Sequence, residues 1–90
     1  MKAVYEVRIK KSELKNLNRL PEAVQEKFGF LVQDLVERGP LQPAWPNYSK
    51  LGKYKYHCHL GYSHVACWTH DKETIIIEVY YVGSRQNAPY

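Results

Sequence analysis

The sequence has no long hydrophobic run. No apolar run exceeds four residues, and even Thr74-Ile75-Ile76-Ile77 stops at Glu78, far short of the roughly 20 apolar residues that cross a bilayer. No membrane partner is therefore expected. The N-terminus, Met1-Lys2-Ala3-Val4-Tyr5-Glu6, lacks the charged-then-apolar pattern of an export signal and points to a cytoplasmic protein. Cysteine is scarce. Cys58 and Cys67 lie in segments that read as strands, where a thiol in a reducing compartment behaves as a small buried hydrophobe. There is no Cys-x-x-Cys pair, and neither repeats nor low-complexity tracts occur. At 90 residues a second core has no material, so residues 1–90 are expected to form one domain.

The composition that remains is ordinary for a globular chain in apolar content, 44%, but not in charge. The formal net charge is +4 and the sequence pI about 9.1, with 13% aromatic residues. A small basic domain rich in aromatic rings suits a polyanion such as nucleic acid.

Residues Lys2 to Lys10 alternate, with Ala3, Tyr5, Val7 and Ile9 on one parity, which predicts an opening strand. Ser12 offers an N-cap for a short helix carrying Leu14 and Leu17. Leu20-Pro21 punctuates, and Pro21 suits the first turn of a second helix. There Val24, Phe28, Leu31 and Leu35 recur at helical spacing, and Gly39-Pro40 stops the run. Pro40 to Asn47, with Pro43 and Pro46, reads as a rigid connector. Strands follow at Tyr54 to Leu60, His64 to His70 and Thr74 to Val82, with turns at Gly61-Tyr62-Ser63 and Asp71-Lys72-Glu73 and an end at Gly83. The order predicts an α+β domain: an N-terminal strand, two helices, then a three-stranded antiparallel meander, with the helices packed on one sheet face.

The opposite sheet face is then open. Lys55, His57 and His59 share one parity and are expected there, while Tyr54, Tyr56, Cys58 and Leu60 take the apolar side. Imidazoles titrate near neutral pH, so this row is a candidate for proton transfer. His64 follows a tight turn, and its face depends on the hairpin register. The donor types His57, Cys58, His59, His64, Cys67 and His70 would suit zinc, but Cys58 points away from the two histidines beside it; no metal and no cofactor are expected. His70 reads as a solvated turn residue. Trp45, Tyr48, Lys50, Lys53 and Tyr54 interleave aromatic and basic residues, the combination that stacks bases and neutralises phosphates. Trp45 is read instead as a pin holding the connector to the core, and Tyr48 as either. Lys50 and Lys53, with Lys55, are candidate phosphate contacts. Arg85 places a cation at a sheet end, suited to a two-pronged grip on phosphate. Tyr90 either frays with the terminus or folds back to stack on a base.

Trp45-Pro46-Asn47-Tyr48-Ser49-Lys50-Leu51, Tyr56-His57-Cys58-His59-Leu60, His64-Val65-Ala66-Cys67-Trp68 and Tyr81-Val82-Gly83-Ser84-Arg85, taken in order, resemble the RelE/ParE superfamily of toxin-antitoxin toxins. The resemblance runs from Val4 to Tyr90. It implies a RelE-like fold and an endoribonuclease that cleaves messenger RNA at the ribosome, represses translation and is neutralised by a cognate antitoxin protein. The family's basic residues, terminal arginine and aromatic correspond to His57, His59, His64, Arg85 and Tyr90. Histidine stands where RelE-like members carry lysine or arginine at the first three, which favours an ordinary acid-base scheme. In metal-free cleavage, His57 or His59 would be the base, His64 the acid, Arg85 the phosphate clamp and Tyr90 a positioning group. Two other outcomes share the fold: a ParE-like toxin that binds gyrase without cutting RNA, and a catalytically inactive domain that only pairs with its antitoxin and autoregulates.

Overall fold

The computed structural model of the protein describes residues 4–90; Lys2 and Ala3 of the expected first strand lie outside the described residues. The elements are β1 (Glu6–Ile9), α1 (Lys11–Leu17), α2 (Glu22–Arg38), β2 (Ser49–Gly52), β3 (Lys55–His59), β4 (His64–His70) and β5 (Ile76–Ser84), followed by a 3-10 turn, Arg85–Asn87. They build an α+β domain on one mixed sheet in the order β1-β5-β4-β3-β2, with β1 parallel to β5 and the remaining pairs antiparallel.

α2 covers one face of this sheet. Val24, Phe28, Leu31 and Leu35, the four residues picked out by helical spacing, are its buried positions. They meet Tyr56, Cys58, Leu60, Ala66, Trp68, Ile77, Val79 and Val82 in a single core. Val7 and Ile9 of β1, with Tyr5 just before it, pack against it as their shared parity requires. Gly39 ends α2 at φ 92, its N–H reaching the Leu35 carbonyl at 2.9 Å. Trp45 pins the connector as expected, its indole donating to Asp34 at 2.8 Å, and the Tyr48 ring adds a second pin by stacking on Tyr56 and Trp68.

The meander has four strands, not three. β2 was read as part of a loop because Ser49-Lys50-Leu51-Gly52 is too short and too polar to show alternation; it exists because it pairs with β3, Ser49 opposite His57 and Lys50 opposite Tyr56. β5 runs past Gly83 to Ser84, with Gly83 opposite Val65. Ser12 is not the cap of α1. The N-cap position falls two residues earlier, at Lys10, without a side-chain cap, the helix running from Lys11, and the Ser12 hydroxyl turns to Glu13 instead. His70 is not a solvated turn residue either. It closes β4, its Nε2 lies 3.1 Å from the Thr74 carbonyl and its ring meets Tyr5 edge-on at 5.9 Å.

α1 holds no fully buried residue and does more at the sheet's edge than on its face. β1 pairs only with Ile76 to Val79 of β5, so the rest of β5 would show bare backbone. Glu13 accepts from the Val82 N–H at 3.0 Å and Asn16 donates to the Val82 carbonyl at 2.6 Å. Glu13→Ala is expected to destabilise the protein by about 1–3 kcal/mol, because it orphans a buried N–H. Glu13→Gln, which keeps an acceptor, should cost clearly less in a urea titration.

Candidate active site

Cross-strand register decides which polar residues meet. His57 opposes Cys67 and His59 opposes Val65, so both histidines stand on the sheet face away from α2, as their parity predicts. The face is less open than the sequence suggested. His57 is only 7% exposed, because two segments lean over it. Ser49 of β2 brings its hydroxyl to 3.0 Å from His57 Nδ1, and the C-terminal tail turns back so that the Tyr90 ring lies 4.5 Å from the imidazole, centroid to centroid. The His57 and His59 rings are 5.7 Å apart.

Arg85 reaches the same place from the end of β5. Its N–H is held by the Ser63 carbonyl at 2.7 Å, which fixes the start of the 3-10 turn beside the β3–β4 loop. The connector supplies the other wall: the His59 N–H donates to the Pro46 carbonyl at 2.8 Å, and Asn47 takes a left-handed φ of 54°, which asparagine tolerates, to turn the chain into β2. The result is an open pocket of about 550 Å³ lined by Asn47, Ser49, His57, His59, Arg85 and Tyr90.

His64 is not in this set. Between His64 and Cys67 the β4 ladder runs without a bulge, so His64 keeps the parity of the core residues Ala66 and Trp68, opposite to that of His57 and His59. The hairpin register, which the sequence left open, puts it on the other face. The lysines also separate. Lys55 shares the histidine face, about 13 Å along the strand from His59 at ~3.3 Å per residue. Lys50 registers with Tyr56 and lies over that ring at 5.8 Å, on the other face. Lys53 sits in the β2–β3 turn, 5.7 Å from the Tyr54 ring. Asn47 and Ser49 line the pocket and were missed. Their only signal is adjacency to Tyr48 and Lys50, and the pairing that brings them in is non-local.

At the local bulge, Cys67 pairs with Tyr81 and Trp68 with Val79, so Tyr80 is left without a partner in the ladder. The Cys67 thiol, hydrogen-bonded to Tyr80, is pushed by burial to about 12, so it stays protonated and is no nucleophile. Cys58 is likewise pushed to about 12, on the opposite face.

Electrostatics sets the protonation states. Burial lowers the His57 pKa, with a smaller push from His59 and a hydrogen bond to Ser49 acting the other way. Burial and then the Arg85 guanidinium lower that of His59. Both imidazoles are therefore neutral at pH 7 beside a permanent cation. Burial raises the Tyr90 pKa, so the phenol keeps its proton. Chemically, the pocket offers two proton carriers, one fixed positive charge and one ring.

A folding consequence follows from His57. Its folded pKa is depressed, so the folded state binds fewer protons than the unfolded chain. Its contribution is intact above the unfolded value of about 6.5 and is lost as pH falls through the folded value. Denaturation midpoints should fall between pH 7 and 5, and His57→Gln should flatten that fall. Asp34 responds in a lower window. Burial pushes its carboxyl up, but hydrogen bonds from Arg38 and Trp45 outweigh this and hold it below the ordinary value.

No protein-family model matches the sequence, and no curated protein matches it either. Solved structures do. A chain of the archaeal RelE-RelB complex from Pyrococcus horikoshii superposes with a TM-score of 0.75 at 19% identity, covering 94% of this chain and 99% of that one. The isolated E. coli RelE toxin gives 0.73 at 16% identity over 94% and 88%. A chain of the YoeB-YefM toxin-antitoxin complex from Staphylococcus aureus gives 0.70 at 13% identity over 90% and 97%. The fold is that of RelE-type toxins.

Proposed function

We propose that this protein is the toxin of a toxin-antitoxin pair and an endoribonuclease that cuts messenger RNA by metal-free acid-base cleavage. The observation that carries the reading is the convergence of His57, His59, Arg85 and Tyr90 in one pocket on a fold shared with RelE and YoeB. Two neutral imidazoles beside a guanidinium suit transfer at a phosphodiester better than a surface meant only for docking.

In the proposed cleavage His59 takes the proton of the 2′-hydroxyl as that oxygen bonds to phosphorus. It suits the base because Arg85, besides burial, keeps it unprotonated. His57, oriented through Ser49, acts in its imidazolium form, the minor one at pH 7 because burial lowers its pKa. It hands that extra proton to the 5′ oxygen as the P–O bond breaks and is left neutral, with a 2′,3′-cyclic phosphate and a free 5′ hydroxyl as products. General acid and base groups each contribute about 10²–10⁴-fold. Arg85 faces the charge that grows on the phosphoryl oxygens. Tyr90 packs on His57 and positions it. Lys55 continues the cationic face and offers a further phosphate contact, while Lys50 in β2 and Lys53 in the turn after it are outlying contacts.

The partner by charge is an antitoxin with an acidic segment laid over this basic face. The test is to add the purified protein to translating ribosomes and map transcript ends. Cuts in register with codons, carrying cyclic phosphate ends, are expected. Gyrase-dependent DNA breaks with intact RNA, or antitoxin binding without any cleavage, would overturn the activity.

A further inference from the structure

A second cavity adjoins the first. It measures about 700 Å³ and shares Asn47, His59 and Arg85 with the histidine pocket. Its remaining wall has a different character. Phe30 of α2, Trp45 of the connector and Tyr62 of the β3–β4 loop all line it, three rings delivered by three separate segments. Phe30 is 57% exposed and Tyr62 94% exposed. Single exposed apolar residues need no explanation. Two uncovered rings facing one cavity beside a third, whose indole is anchored to Asp34 at 2.8 Å, are a different matter. They leave a stacking surface preformed and unfilled.

We infer that this cavity is a nucleobase subsite, receiving the base next to the phosphate held at Arg85, with Tyr62 and Phe30 as the stacking rings and Trp45 as the fixed floor. The inference rests on the RNA-cleaving reading above and extends it. Three features favour a base over a peptide. The cavity opens onto the cation and imidazoles through His59 and Arg85, so a phosphate there leaves its own base within reach of the rings. The volume holds one nucleoside with room to move. The net charge of +4 favours a polyanion, and stacking on an aromatic face accepts any base. Arg85 stands between the two cavities, and its guanidinium serves the phosphate from either side.

Loss of one stacked ring costs about 1–3 kcal/mol, which is roughly 5- to 150-fold in affinity. The probes are the four nucleoside 3′-monophosphates and inorganic phosphate, titrated into isotope-labelled full-length protein and followed by NMR. Inorganic phosphate should shift His57, His59 and Arg85 only. The nucleotides should shift these and also Tyr62, Phe30 and the Trp45 indole. Phe30→Ala and Tyr62→Ala, both at exposed positions that fold without their rings, should each weaken nucleotide binding 5-fold or more and leave phosphate binding unchanged. In cleavage assays they should raise KM for RNA more than they lower kcat. Nucleotides that perturb only the phosphate-responsive residues, with RNA still cleaved, would overturn the subsite alone. Rings that respond to an antitoxin peptide but to no nucleotide would overturn it in favour of a protein-docking groove. Absence of both phosphate response and cleavage would remove the ribonuclease reading and the subsite with it.

Discussion

Arg85→Ala is expected to slow RNA cleavage by about 10²–10³-fold, the scale on which loss of one preorganised charge-stabilising donor is felt. The loss should appear in kcat as well as in kcat/KM, because in the proposed cleavage the negative charge facing Arg85 grows only as the new P–O bond forms. Arg85→Lys should recover part of it, since a point charge replaces the cation but not the two-pronged geometry. The side chain is exposed at the sheet's end, so thermal stability should hardly move. One readout is independent of turnover. Arg85 is among the groups that lower the His59 pKa, so its removal should raise the His59 midpoint in an NMR titration while His57, whose shift comes first from burial, moves less. An unchanged His59 midpoint would show that the two side chains do not communicate in solution.

The largest effect on stability is expected at Trp68. It is fully buried, stacks on Tyr56 at 6.2 Å and on Tyr48 at 6.4 Å, and its indole donates to the Pro40 carbonyl at 3.1 Å. It thus ties β4, β3 and the connector together. Trp68→Ala should cost about 3–5 kcal/mol, a large share of the 5–15 kcal/mol typical of a whole domain. Trp68→Phe keeps most of the packing but orphans the carbonyl, and should cost about 1–3 kcal/mol. Urea unfolding followed by far-UV circular dichroism measures both. Because the connector carries Asn47 to the pocket and Trp45 to the cavity beside it, the alanine variant should also lose activity at temperatures where it is still largely folded.

What could be read from the chain divides along a physical line. α2 declared itself because its signal is local: Val24, Phe28, Leu31 and Leu35 repeat within a few turns, and each is buried. His57 and His59 share a face because strand parity is also local. His64 was ambiguous because its face depends on how the chain turns at Gly61-Tyr62-Ser63, a property of register and not of residue type. β2 was invisible for a related reason: a four-residue edge strand is made by its partner. Its absence from the reading hid Ser49, and with it half of what buries His57. The return of Tyr90 onto His57 was one of two open alternatives, since nothing within six terminal residues dictates where they land.

The side chains of α1 that meet Val82 bear on more than this chain's own folding. The upper half of β5 has no strand on its outer side, and an uncovered strand edge of that kind is a template on which a second molecule can add and a stack can grow. Glu13 and Asn16 occupy the very backbone groups that an incoming strand would use. The sheet's outermost strands, β1 and β2, run four residues each, and the pairing of β2 with β3 is further broken by an irregularity between Lys50 and Gly52. Among the described residues the sheet thus offers another chain short or occupied edges, an arrangement that disfavours strand-by-strand growth of a stack.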